Sequence, residues 1–97
     1  MRRAIKRQPT HPGEILLQEF LIPLQVSQSA FARHIGWTQP KVNEIVSGKR
    51  GITPESAMVL ADALNTTPEF WLNLQLAVDL WKAQQKHETV ERLAGIA

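Results

Sequence analysis

Residues 27–50, SQSAFARHIGWTQPKVNEIVSGKR, decide the fold of this chain. The stretch predicts two short helices joined at Gly36, because glycine takes the positive φ of a sharp turn without a steric penalty. Large side chains on both helices pack against each other, and one small side chain lets the helices cross closely, at about 90–120°. The six positions with this pattern are Phe31, Ala32, Ile35, Gly36, Val42 and Ile45.

Helix signals continue on the N-terminal side of this stretch. A first helix is predicted to begin near Pro12, since proline suits the first helical turn, and to stop at Pro23. Ser27 and Thr38 each precede one of the two short helices. Both are good N-cap residues, so we expect their hydroxyls to bond the first backbone N–H groups of the second and third helices.

On the C-terminal side, Thr53 and Thr67 are each followed by Pro and Glu. This pattern predicts the starts of a fourth helix and of a long fifth helix that runs to about Gln85. The last residues, 87–97, are compatible with more helix or with a frayed end. Residues 11–97 therefore read as one all-α, five-helix domain. The apolar side of the fourth helix is expected to contain Met58, Leu60, Ala61 and Leu64.

The composition is that of a single folded domain. The chain has 97 residues, of which 43% are hydrophobic, too many for a disordered protein. It has no cysteine, which excludes a disulfide framework and a thiolate metal site. The apolar run at residues 15–24 is too short to span a membrane, so no membrane partner is expected, and the basic start is not followed by a convincing signal-peptide pattern.

Charge is distributed unevenly along the chain, and this matters more than the net charge of +2. Residues 1–10 form a basic arm with four cations and no acid, and the two-helix stretch is also basic. The segment 51–81 has acids only. A basic face on an otherwise balanced domain is typical of a phosphate-binding surface. The alternative for the arm is a solvated, disordered tail. Its cations are Arg2, Arg3, Lys6 and Arg7.

The third helix is predicted to have one polar face free. At about 100° per residue, Val42 and Ile45 point into the domain, and Lys41 lies on a flank. Amide side chains on the free face suit paired hydrogen bonds to adenine, and a serine suits several base edges. Glu44 would accept a hydrogen bond from cytosine or repel the wrong sequence. The free face consists of Gln39, Pro40, Asn43, Glu44 and Ser47.

Phosphate contacts are expected around this face. Lys49 and Arg50 follow the end of the third helix, and Gln28 and Thr38 lie at the starts of the second and third helices, where backbone N–H groups are free. The alternative is a polar face that is only solvated. The full predicted DNA-binding set is Gln28, Thr38, Gln39, Lys41, Asn43, Glu44, Ser47, Lys49 and Arg50.

The residues that catalysis would need are scattered. His11, His34 and His87 form no ligand pair at helical spacing, and the acids share no obvious site. Ser27 and Ser29 fit the start of a helix better than the role of a nucleophile. The sequence has no glycine-rich phosphate loop. We therefore expect no catalytic residues, no metal and no cofactor.

The fifth helix has two apolar stripes, one more than a helix at the edge of a small domain needs. The first stripe contains Phe70, Trp71, Leu74, Ala77, Val78 and Trp81. The second contains Leu72, Leu76 and Leu80. We expect the second stripe to be the interface of a homodimer, because a two-helix DNA-binding unit covers only a half-site. The alternative is that both stripes belong to the core of one chain.

Three segments give the chain a resemblance to a known family. They are HPGEILLQEFL at residues 11–21, SGKRGITPESAMVLADAL at residues 47–64 and TTPEFWLNLQLAVDLWKA at residues 66–83. Together with the two-helix unit they resemble the HigA-type antitoxins, a branch of the XRE/Cro-repressor-like helix-turn-helix proteins. The resemblance covers roughly residues 10–85. It implies a lambda-repressor-like, five-helix, dimeric protein of the bacterial cytoplasm and nucleoid.

The resemblance also implies a function and a set of contacts. Such proteins repress their own operon by binding double-stranded operator DNA, and they bind a RelE-like ribonuclease toxin. The DNA-contact positions of the family fall on Thr38, Gln39, Lys41, Asn43 and the Lys49–Arg50 pair. Two features depart from the family pattern: Pro40 removes a backbone donor, and the basic arm is extra. A stand-alone XRE-family repressor without a toxin partner is the alternative.

Overall fold

The computed structural model describes residues 7–95, and these residues form five helices and no strand. Helix α1 covers residues 12–24. The other helices are α2 (Gln28–Ile35), α3 (Gln39–Val46), α4 (Pro54–Leu64) and α5 (Pro68–Lys86). Most of the basic arm lies outside the described residues, and so do the predictions for Arg2, Arg3 and Lys6 and the suggestion that this part of the arm is disordered.

Four of the helices begin at the predicted hydroxyl caps. The hydroxyl of Ser27 accepts a hydrogen bond from the Ala30 N–H at 3.0 Å, and that of Thr38 accepts from the Lys41 N–H at 3.3 Å. Thr53 and Thr67 make the same contact with the third residue of α4 and of α5, at 3.2 and 3.1 Å. These caps satisfy N–H groups that have no acceptor inside a helix.

Helix α1 does not stop at Pro23, as the sequence suggested. It continues to Leu24, and Gln25 ends it with a left-handed φ of 58°. The reason is a π-helical segment, Leu16–Leu21, in which the hydrogen bonds span five residues. The Ile22 N–H bonds the Leu17 carbonyl in this wider turn. The wider turn accommodates the missing N–H and the ring of the proline that follows.

The core lies where the five helices meet, and each of them contributes buried residues. Leu16, Val42, Ile45, Leu60 and Trp71 are all completely buried. Burying an aliphatic side chain of this size contributes about 1.5–3 kcal/mol to folding. The indole N–H of Trp71 is also satisfied, because it donates to the Thr66 hydroxyl at 2.7 Å. Trp71 thus contributes both apolar burial and a hydrogen bond to the attachment of the fifth helix.

In the C-terminal half, the structure corrects one expectation for α4 and decides where α5 ends. Met58 was placed on the apolar side of α4, but it is 54% exposed. Leu60 and Ala61, which belong to the same prediction, are buried together with Ala57, and Leu64 packs against the core. Helix α5 ends at Lys86, and residues 87–95 are not helical. Residues 96–97 lie outside the described part of the chain.

Candidate nucleic-acid interface

The two-helix unit folds as the sequence pattern predicts. Gly36 ends α2 with a left-handed φ of 77°, and the Trp37 N–H then bonds the Ala32 carbonyl at 2.9 Å. Ala32 is only 2% exposed and belongs to the buried core, as expected of the one small side chain in the pattern. Val42 and Ile45 of α3 are completely buried. The buried side of α3 therefore leaves its opposite face on the surface.

That opposite face carries the polar residues predicted for it. Gln39, Pro40 and Asn43 are exposed and line one shallow depression, and Ser47 is exposed one turn further on. Glu44 is half-buried at the edge of the face. The arrangement places two amide side chains, one helical turn apart, on the exposed face of α3. Its shape and polarity match a surface that enters a DNA groove.

A hydrogen bond connects this face to α2. The Asn43 amide donates to the Gln28 Oε1 at 3.4 Å, across 15 residues of sequence. Gln28 was predicted as a phosphate contact and Asn43 as a base contact, without any link between them. The bond is long and exposed, so it orients both amides more than it stabilises the domain.

Arg50 and Glu44 form an ion pair that the sequence analysis did not foresee. The Arg50 Nη2 lies 2.8 Å and its Nε 2.9 Å from the same Glu44 carboxylate oxygen. Both side chains are nearly half exposed, so the pair contributes about 0–1 kcal/mol to folding. The backbone N–H groups of Lys49 and Arg50 also bond the Glu44 carbonyl, at 2.8 and 3.1 Å. Glu44 thus holds the segment that carries both cations.

Trp37 joins the site, although the sequence analysis gave it no role there. The ammonium group of Lys41 lies 4.2 Å from the centroid of the Trp37 ring, which is a cation–π contact. The signal in the sequence was the spacing of four residues between an aromatic side chain and a lysine. The contact fixes Lys41 on the flank of α3, near the helix start.

The start of α3 has fewer free donors than an ordinary helix. Pro40 has no N–H, and the Lys41 N–H already bonds the Thr38 hydroxyl. The Gln39 N–H therefore remains as the one first-turn donor without an acceptor inside α3. The Thr38 hydroxyl can still donate its own proton. A phosphate at this helix end would meet these two groups.

The three leucines of the predicted interface stripe on α5 differ in how far they are exposed. Leu72 is half-buried and packs against the core, whereas Leu76 and Leu80 are 54% and 51% exposed. Of the other stripe, Trp71 and Val78 are completely buried. The second stripe thus has two leucines that the core of this chain does not cover.

Other kinds of site are not found in residues 7–95. No three His, Cys, Asp or Glu side chains there lie close enough to hold a metal ion. No described helix is both long enough and apolar enough to cross a membrane.

Comparisons with known proteins agree with this geometry. The family HTH_3, helix-turn-helix, matches residues 17–71. The uncharacterized HTH-type transcriptional regulator YbaQ of Escherichia coli K12 is 41% identical over 90 residues, which cover 93% of this chain and 80% of YbaQ. The antitoxin HigA-1 of Vibrio cholerae is 41% identical over 86 residues, covering 89% of this chain and 81% of HigA-1.

A solved structure extends the likeness to the whole fold. The antitoxin GraA in complex with its operator superposes with a TM-score of 0.85 at 41% identity, over 98% of this chain and 99% of GraA. The resemblance inferred from the three sequence segments is therefore confirmed. The chain belongs to the XRE-type helix-turn-helix family, in the branch of the HigA-type antitoxins.

Proposed function

We propose that this protein binds operator DNA through α3 and represses its own operon. The observation that carries the proposal is the exposed polar face of α3, where Gln39 and Asn43 line the same shallow depression. Cations flank this face on both sides, Lys41 near the helix start and Lys49 and Arg50 past its end. The likeness to GraA, which was solved on its operator, supports the same use of the fold.

The polar residues of the face and its flanks each have a proposed role. Gln39 and Asn43 contact base edges in the major groove, where their amides suit adenine. Ser47 adds a base contact of lower selectivity. Phosphate contacts fix the position of the domain on the duplex but do not read its sequence. They are assigned to Gln28, Thr38, Lys41, Lys49 and Arg50.

The Glu44–Arg50 pair adds a selective element to this surface. In the free protein Arg50 neutralises Glu44, and the pair is weak because both side chains are solvated. A phosphate can therefore compete for Arg50 at low cost. Glu44 is then free to accept a hydrogen bond from a cytosine amino group, and it repels a site that offers only acceptors.

We also propose that the protein neutralises a RelE-like ribonuclease toxin and acts as a homodimer in the bacterial cytoplasm. Its likeness to HigA-1, which is named an antitoxin, supports a toxin partner. The exposed Leu76 and Leu80 support the pairing of two copies. The role is one of binding, without catalysis and without a cofactor.

Co-expression with the reading frame beside the gene tests the antitoxin role. The neighbouring frame is expressed alone and together with this chain, and growth and co-purification are measured. We expect growth arrest by the neighbour alone, relief by co-expression and a complex that survives purification. Arrest without relief, or relief without a complex, would contradict the toxin proposal.

A stand-alone repressor is the second candidate. YbaQ, as similar as HigA-1, is named a transcriptional regulator and not an antitoxin. The two candidates share the DNA surface and differ only in the protein partner. A small ribonuclease-like frame beside the gene favours the antitoxin, and its absence favours the stand-alone repressor.

A further inference from the structure

Gln75 of α5 binds the backbone of the segment between α3 and α4, residues 47–53. Its Oε1 accepts a hydrogen bond from the Ile52 N–H at 2.7 Å, across 23 residues of sequence. The bond is partly buried, and the Ile52 side chain is only 5% exposed. A short bond at the edge of the core holds its groups more firmly than the exposed contacts on α3 do.

Gly51 shows how closely this segment lies against Gln75. A Cβ atom added at Gly51 would come within 3.2 Å of the Cδ, Nε2 and Oε1 atoms of the Gln75 amide. The backbone at Gly51 therefore rests directly on the amide group. A larger residue at this position would have to push the amide away from Ile52.

Asp79 fixes the orientation of the Gln75 amide. The Gln75 Nε2 donates to the Asp79 Oδ1 at 3.0 Å, one helical turn along α5. Asp79 accepts only, so the amide nitrogen faces Asp79 and the amide oxygen faces the Ile52 N–H. The Ile52 N–H and the Gln75 Nε2 group thus each have an acceptor, Gln75 Oε1 for the first and Asp79 Oδ1 for the second.

We propose that Gln75 is a positioning residue for DNA binding, which holds Lys49 and Arg50 where they meet phosphate. The inference rests on the proposed function. The N-terminal half of the segment is bonded to α3 through the Glu44 carbonyl, and Gln75 provides the polar bond that ties its C-terminal half to α5. Without this bond the C-terminal half is held by the buried Ile52 side chain and the start of α4, and the backbone next to the two cations loses its polar contact with α5.

The expected effect of Gln75→Ala follows from this geometry. The variant leaves the Ile52 N–H without its acceptor and loosens the backbone that carries the two cations, while the Ile52 side chain stays in the core. We expect binding to operator DNA and to shuffled DNA to weaken alike, by about two- to tenfold, the range for one lost hydrogen bond. The salt dependence of binding should also become flatter, by roughly one unit of slope, because fewer phosphates are neutralised. The preference for the operator should not change.

The test is a double-mutant cycle with the two cations. Dissociation constants on the DNA upstream of the gene and on shuffled DNA are measured over a range of salt concentrations. The proteins are the parent, Gln75→Ala, Lys49→Gln/Arg50→Gln and the combined variant. We expect Gln75→Ala to have no further effect once both cations are gone. An equal effect in both backgrounds would overturn the inference, since Gln75 would then act on stability in general.

A swapped pair provides the rescue. In Gln75→Glu/Asp79→Asn, a carboxylate still accepts from the Ile52 N–H, and the new amide at position 79 donates to it, with no change in net charge. We expect Gln75→Glu alone to bind weakly, because it faces the Asp79 carboxylate, and the double variant to bind like the parent. Asp79→Asn alone is the control, since its amide oxygen still accepts from Gln75. A double variant no better than Gln75→Glu would overturn the inference.

Failure of the proposed function would give a different result from failure of the inference alone. A parent protein with equal affinity for upstream and shuffled DNA would overturn the function and the inference with it. A parent with a clear preference and a steep salt dependence, beside a Gln75→Ala variant that binds equally well, would overturn the inference alone. Thermal unfolding of each variant shows that the comparison is made between folded proteins.

Discussion

At the scale of single residues, Gln39 carries the sharpest prediction. Its side chain is exposed at the start of α3, beside Asn43. Gln39→Ala should cost about 1–3 kcal/mol of binding free energy on the operator and much less on random DNA, because it removes a base contact and leaves the phosphate contacts. Fluorescence anisotropy on both DNAs measures the difference. Equal losses would show that Gln39 reads no base.

His11 gives the stability a dependence on pH. Its Nδ1 accepts a hydrogen bond from the Gly13 N–H at 2.9 Å and so caps α1. Burial lowers the pKa of its imidazole below the ordinary 6.5, the nearby Lys82 lowers it further, and Asp79 and Glu14 oppose the shift. The folded state thus binds this proton less readily than the unfolded state does. A protonated Nδ1 also has no lone pair with which to accept from Gly13.

The sign of the pH effect follows from that pKa. Stability from His11 is complete above about pH 6.5 and is lost as the pH falls toward the lower pKa of the folded state. His11→Ser keeps a capping hydroxyl without a titrating group. Urea unfolding from about pH 8 to pH 5 should therefore show a smaller loss of stability for the variant than for the parent. Identical losses would rule out His11 as the cause.

Local features of single residues could be predicted from the sequence, but the pairs that side chains form across different elements could not. The hydroxyl caps and Gly36 follow from local backbone geometry, which a few neighbouring residues determine. The Asn43–Gln28 and Gln75–Ile52 bonds depend on how helices cross, which no local pattern gives. The Glu44–Arg50 pair depends on the path of the turn after α3. Side chains assigned to DNA one by one are thus partly bound to each other in the free protein.

At the scale of elements, the contact between α1 and α3 depends on Gly13. A Cβ atom there would overlap the Ile45 carbonyl oxygen, which is backbone and cannot move aside. Gly13→Ala should destabilise the domain by about 1–3 kcal/mol or more, since α1 must move away from α3. Gln18→Ala, at an exposed position of the same helix, is the control. Urea midpoints that match for the two variants would contradict this account of the contact.

Helix boundaries show where the sequence stops being sufficient. The starts of α2 to α5 were predicted correctly, because capping residues act locally. The end of α1 was not, because the rule that proline stops a helix assumes an α-helical turn before it. The segment Leu16–Leu21 is π-helical. Packing determines this feature, and the spacing of the hydrophobic residues does not indicate it.

At the scale of the whole molecule, assembly depends on the leucines that the core leaves uncovered. Leu76 and Leu80 are about half exposed, and burying the exposed part of each between two copies would contribute about 1–1.5 kcal/mol before the entropic cost of association. Leu76→Glu should give a folded monomer with half-site affinity only. Gln84→Glu adds the same charge at an exposed position of α5 and should stay dimeric.

Sedimentation and thermal unfolding decide this prediction together. A monomeric parent, or a Leu76→Glu variant that unfolds, would place the stripe in the core or move the interface elsewhere.

Half-buried Leu72 already belongs with the core, a division that the spacing of the stripe could not reveal. The sequence predicts the five helices well, because each helix has its own signals. It says less about assembly, because an interface needs a second copy.

The most direct test of the central claim compares two dissociation constants. The parent protein is titrated onto DNA from upstream of its own gene and onto a shuffled duplex of the same composition, at physiological salt. If α3 reads base edges, upstream DNA should bind at least about 10³-fold more tightly, with two protected half-sites about one helical turn apart. Equal dissociation constants for the two duplexes would contradict the claim that this protein recognises an operator.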